Sequence, residues 1–277
     1  MKPIRRIDRF LAIILIFLAA MFLFPILIVL INSFKGQFYI TDAPFALPDQ
    51  QTFVGIGNYL SGLRKTDFAS AFVRSLLITV GSVGVIVLFT SMTAWFIVRY
   101  KSIWTMILYY LFVASMVVPF QMVMFTMSKV ANVLHLDNPL GIIVIYLGYG
   151  AGLSVFLFSG FVRGLPTEIE EAAMIDGCDP MRLFFGVVFP MLRPTAITVA
   201  ILNTMWIWND YLLPALVIGA KYRTIPIAVQ YLQGGYGSRD MGALMAMLVL
   251  AIVPIIVFYL SLQKYIIKGV LSGAVKG

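Results

Sequence analysis

The chain has 277 residues, 61% of them apolar and 12% charged, with a mean hydropathy of +0.97. No soluble globule has room to bury so many apolar side chains, so the composition points to an all-α polytopic membrane protein, and the formal charge of +8 reports orientation in the bilayer rather than a nucleic-acid partner. Cys178 and His135 each stand alone, which excludes a disulfide framework within one chain and a spaced metal-ligand set.

The start, "MKPIRRIDRF", resembles the basic region of a signal peptide. The apolar stretch behind it is longer than a signal core and lacks a small-residue cleavage site, so it reads as an uncleaved first span. A helix needs roughly 20 apolar residues to cross the hydrocarbon. Six stretches qualify, at about 10–31, 72–98, 103–127, 140–161, 195–219 and 241–263. The whole of 1–277 then reads as a single membrane domain. With the N-terminus placed inside, twelve basic residues fall on the cytoplasmic side and eight outside, and the cluster Lys2, Arg5, Arg6 and Arg9 points the same way. Both termini are therefore expected in the cytoplasm.

Residues 32–71, punctuated by Pro and Gly, form the largest expected external segment. Pro119 in the third stretch and Gly148 and Gly152 in the fourth suggest broken helices. Arg74 reads as a snorkelling residue and His135 as part of an outside turn.

The cytoplasmic loop at 163–190 is a polar island, "TEIEEAAMIDGCDPMRLF". Thr167 and Glu170 have the spacing of a capping box, so a short helix is expected from about 168 to 176. Gly177 supplies a left-handed stop, and Asp179-Pro180 restarts a helix as N-cap and first residue. Ala172 and Ala173 leave a small surface beside acidic groups, suited to docking in a protein cleft. Ordinary capping of a solvated loop explains Thr167, Glu170 and Gly177 equally well.

"EEAAMIDGCDPMRLFFGVVFPMLRP" resembles the EAA loop of ABC importer permeases through Glu171, Ala172, Ala173, Asp176, Gly177, Phe185, Pro190 and Pro194. "INSFK", "GIGNYL", "IWNDYLLPALVI" and "SGAVKG" follow the order seen in carbohydrate permeases of the maltose-transporter type, particularly the six-span partner. The resemblance implies a coupling helix seated in a cytoplasmic ATPase. Its ATPase-coupling set would be Glu170, Glu171, Ala172, Ala173, Asp176 and Gly177. Glu171 would meet a basic residue of the ATPase, the alanines would allow close approach, and Gly177 would make the bend. The implied partners are a homologous permease, two ATPase copies, an extracytoplasmic solute-binding protein and a sugar, all in or at a bacterial cytoplasmic membrane.

No "GK" dipeptide occurs, so the chain lacks a phosphate-binding P-loop. It is not expected to be an enzyme or to bind a cofactor; ATP and Mg would belong to the partner ATPase. Asn203, Trp206 or Ile207, Asp210 and Pro214 share a face at helical spacing, and an aromatic ring with amide and carboxylate groups suits a polyol. Gln121, Tyr146, Tyr149 and Ser154 are further pathway candidates. Interhelical hydrogen bonds account for Asn203 and Asp210 as well. Three other readings stand beside a sugar importer: import of another polyol-like solute such as a glycerol phosphate, a stand-alone secondary transporter built on the intramembrane Asp210, and a membrane scaffold.

Overall fold

A computed structural model describes residues 6–234 and 239–274, with side chains from 10 to 234 and 239 to 263. The basic residues Lys2, Arg5 and Lys276, and the side chains of Arg6, Arg9, Lys264 and Lys268, lie outside that description, as does the end of "SGAVKG".

The first apolar stretch forms α1, Arg6–Asn32. Two short helices follow, α2 at Gln37–Asp42 and α3 at Gly57–Thr66, before the long α4 at Phe68–Arg99. At 1.5 Å per residue, α4 is about 48 Å long, more than a bilayer core requires.

The stretch expected to span at 103–127 is not one straight helix. α5 runs Ile103–Ser115 and α6 runs Phe120–Val133, and the two are bent by 107°. Pro119 is the cause: it lacks an N–H and disfavours helical backbone at the residue before it, so α5 stops and α6 restarts with Pro119 as N-cap. After His135, at φ 55°, the chain enters α7, Gly141–Val162.

α7 is unbroken, against the expectation from its glycines. Gly148 has open space where a Cβ would be, but Gly152, and Gly150 between them, serve packing. A Cβ at Gly150 would come within 2.7 Å of Ile86 and 2.9 Å of the Asn203 amide oxygen, and one at Gly152 within 2.8 Å of the Phe112 carbonyl. Glycine thus lets α7 lie close against its neighbours.

α8 spans Thr167–Ile175, α9 spans Pro180–Leu183, and a π-helical turn at Phe184–Val188 leads into α10, Phe189–Met191. The fifth apolar stretch divides into α11, Arg193–Asn209, and α12, Leu212–Val217, and the chain bends by 77° between the Pro180–Met191 segment and α11. α13 at Ile225–Tyr231 and α14 at Met241–Ala274 complete the fold.

Among the described residues four helices are long and apolar enough to cross a membrane, or up to six spans if each bent pair is one. Among the described residues there is no named strand; Lys35 and Phe53 make an isolated antiparallel bridge.

The chain groups into two compact units, Met1–Ala69 with Ala228–Pro254, and Ser70–Ile227 with Ile255–Gly277. In the first, the separate motifs "INSFK" and "GIGNYL" form one knot. Asn58 donates its amide N–H groups to the Ser33 and Lys35 carbonyls at 2.8 and 2.7 Å, while Ser33 and Tyr59 hydroxyls lie 2.8 Å apart. Lys35 is buried and donates to the Ala43 carbonyl beyond α2, where a cation suits the helix C-terminus. In the second unit the core runs through α4, α7, the π turn and α11, with Ile86, Tyr146, Val155, Phe158, Phe184 and Val199 fully buried.

Candidate functional site

The polar island folds as a helix, a sharp turn and a second helix. Gly177 adopts φ +83°, a conformation in which a side chain is strained, and nothing lies within 4 Å of where its Cβ would be. Asp179 caps α9 by accepting from the Met181 and Arg182 N–H groups at 2.9 and 3.0 Å, with Pro180 at the first helical position.

The expected capping box does not form. Thr167 is the first helical residue, Pro166 stands at the N-cap, and no side chain caps α8. Glu170 is committed elsewhere. Its Oε1 accepts from Arg99 Nε and Nη2 at 2.9 and 2.7 Å, and its Oε2 accepts from the Trp95 indole N–H at 2.9 Å. Arg99 Nη2 also donates to the Leu165 carbonyl at 3.2 Å.

This divides the predicted coupling set. Glu170 is 5% exposed and faces inward, so in this structure it offers no carboxylate to a partner. Glu171, Ala172, Asp176 and Gly177 are exposed, and Ala173 is half-buried against the core. Glu171 and Ala172 therefore present an acidic group beside a small residue to the surroundings.

The predicted pathway residues separate as well. Tyr146 donates its hydroxyl to Asp210 Oδ2 at 3.1 Å and meets Trp206 edge-on at 5.5 Å. Tyr146 is fully buried, however, and Asn203 is 4% exposed, with its amide donating to Ser154 Oγ and the Val199 carbonyl. Both are engaged in packing and neither is open to a solute here. Asp210 ends α11 in extended backbone, and its Oδ1 accepts from the Leu212 and Leu213 N–H groups at 3.0 and 3.3 Å. The carboxylate thus starts α12, and Pro214 does not continue the helical face on which Asn203 lies. Trp206 is exposed and Tyr149 packs against Phe120. Gln121 is exposed on α6. Among the described residues no group of three or more His, Cys, Asp or Glu is placed to hold a metal ion.

Residues 86–272 match the family model described as the binding-protein-dependent transport system inner membrane component. The chain belongs to this family. The permease is 37% identical over 262 residues to a probable starch degradation products transport system permease protein of Thermoanaerobacterium thermosulfurigenes, covering 94% of each chain. It is 35% identical over 259 residues to the multiple sugar-binding transport system permease protein of Streptococcus mutans serotype c, covering 92% of each. In fold it matches a chain of a bacterial ABC transporter involved in the import of the acidic polysaccharide alginate. That match has a TM-score of 0.79 at 21% identity and covers 94% of the permease and 98% of that chain.

Sequence reasoning missed Arg99 and Trp95 as partners of the island. A signal was present: the two lie four residues apart at the end of the second span, and so on one helix face, with an acidic loop expected on the same side of the bilayer.

Proposed function

We propose that this permease carries a sugar or oligosaccharide across the cytoplasmic membrane by alternating access, powered by ATP hydrolysed in a partner. The observation that carries the reading is the end-to-end likeness to two sugar-transport permeases, each aligned over more than nine-tenths of its length. The assembly would contain a homologous permease, two copies of the ATPase, and a solute-binding protein delivering substrate from outside. ATP and Mg would act in the ATPase.

The exposed face of α8, with Glu171, Ala172, Asp176 and Gly177, is the proposed seat for the ATPase, on the cytoplasmic side with both termini. Trp206 and Asp210, with Gln121 and Tyr149, remain the proposed contacts for a polyol. A neutral sugar is favoured over an anionic solute such as a glycerol phosphate, because the predicted spans contain little basic charge beyond Arg74.

Uptake of labelled oligosaccharides into proteoliposomes tests the reading. The permease assembled with its ATPase, partner permease and binding protein should accumulate sugar only with ATP and Mg. Accumulation by this chain alone, driven by an ion gradient, would instead make it a secondary transporter.

A further inference from the structure

We propose that Glu170, Arg99 and Trp95 form a pin fastening α8 to the end of α4, through which displacement of the coupling helix reaches the membrane bundle. The inference rests on the coupling role proposed for α8.

Glu170 is the buried residue of α8. Beside it, a cavity of about 410 Å3 opens among Trp95, Arg99, Glu170, Met174, Cys178 and Leu183. Packing between α8 and α4 is therefore incomplete, and polar contacts carry the attachment. Those contacts are of the strong kind: two guanidinium N–H groups on one carboxylate oxygen and an indole N–H on the other, all short and partly buried. Both oxygens of Glu170 are held, which fixes the orientation of the carboxylate as well as its distance. Arg99 also grips the Leu165 carbonyl, so the strand of chain entering α8 and α8 itself share one anchor.

Trp95 extends the pin. Its ring lies 5.6 Å from that of the fully buried Phe184, the first residue of the π turn. A π turn closes wider hydrogen-bonded rings than an α-helix, and such turns recur at functional sites. The coupling segment is thus fastened to α4 by polar contacts and continues through the buried π turn towards α11. Glu170 and its two partners are positioning residues, whereas the neighbouring exposed Glu171 is suited to touch the ATPase.

The test uses the complete transporter and reads two quantities: solute moved per ATP hydrolysed, and retention of the ATPase when the permease is pulled down. Glu170→Gln is expected to lower the transport ratio about tenfold while the ATPase is retained. Trp95→Phe keeps an aromatic ring facing Phe184 while removing the N–H donor along with part of the ring, so it reports on the pin even if loss of the carboxylate impairs folding. It should lower the ratio less. Added to Glu170→Ala, Trp95→Phe should lower it no further. Glu171→Ala should weaken retention of the ATPase itself.

An assembled Glu170→Gln or Trp95→Phe transporter with an unaltered ratio overturns the proposal. So does a Glu170 variant whose only defect is poor assembly. If the unaltered complex moves solute without hydrolysing ATP, the failure belongs to the transport reading rather than to the pin.

Discussion

Asp240 immediately precedes α14 and performs two tasks with one carboxylate. Oδ1 accepts from the Ala243 N–H at 2.9 Å, and Oδ2 accepts from Lys65 at 2.6 Å, with Ser61 at 3.4 Å. Burial alone raises the pKa of this group, but the Ala243, Lys65 and Ser61 donors outweigh burial and hold it below the ordinary 3.8. Because the folded-state value is depressed, the unfolded chain takes up the proton first as pH falls. The stabilisation is complete above the ordinary carboxylate range and disappears as pH drops through the folded value. Asp240→Ala should therefore cost about 1–2 kcal/mol at neutral pH, from a lost cap and a half-exposed ion pair. Thermal melting of the purified permease should show a gap between variant and wild type that narrows below about pH 4. A gap that stays constant through acid pH would mean that the side chain's packing, not its charge, is responsible.

The turn at Gly177 has a different logic, because its constraint is entirely in the backbone. With φ +83° and open space around the missing Cβ, size should matter less than tolerance of the left-handed conformation. Gly177→Asn should melt close to wild type, whereas Gly177→Val should lose about 1–2 kcal/mol and with it the fixed angle between α8 and α9. Parallel melting and uptake measurements separate the two; equal behaviour of Asn and Val would remove the backbone argument. This turn was legible in the sequence because Gly, Asp and Pro act locally, and so were α8 and the start of α9. What was not legible depended on distant partners. The Thr167–Glu170 spacing read as a capping box, but Arg99 and Trp95 compete for the same carboxylate and win with three hydrogen bonds. Gly148 and Gly152 of α7 read as breaks, whereas the helix is continuous and Gly152, with Gly150, is a close approach set by Ile86, Asn203 and Phe112 on other helices. Pro119 was visible as a kink, yet composition could not reveal a 107° turn that divides one apolar run into two helices.

At the scale of the whole molecule, burial is distributed unevenly. Half of the most apolar window of α7 is buried, but in α1 the corresponding window has no buried residue. Leu15, Phe17 and Phe22 are 64%, 67% and 72% exposed, while Phe158 on α7 is fully enclosed. Replacing Phe158 with Ala should cost about 3–5 kcal/mol through the cavity it leaves. Replacing Leu15, Phe17 or Phe22 with Ala should leave the melting temperature of the isolated permease nearly unchanged, since lipid tails offer these side chains as much apolar contact as another helix would. A large loss at the α1 positions would mean that they are covered in the purified protein. Near the C-terminal end of α1 Phe24 stacks on Phe45 and Asn32 donates to the Pro44 carbonyl, but the exposed apolar length before them depends on its surroundings for contact. The choice of detergent or lipid during purification will then be felt first at the N-terminal segment, well before the tightly filled region around Phe158 responds.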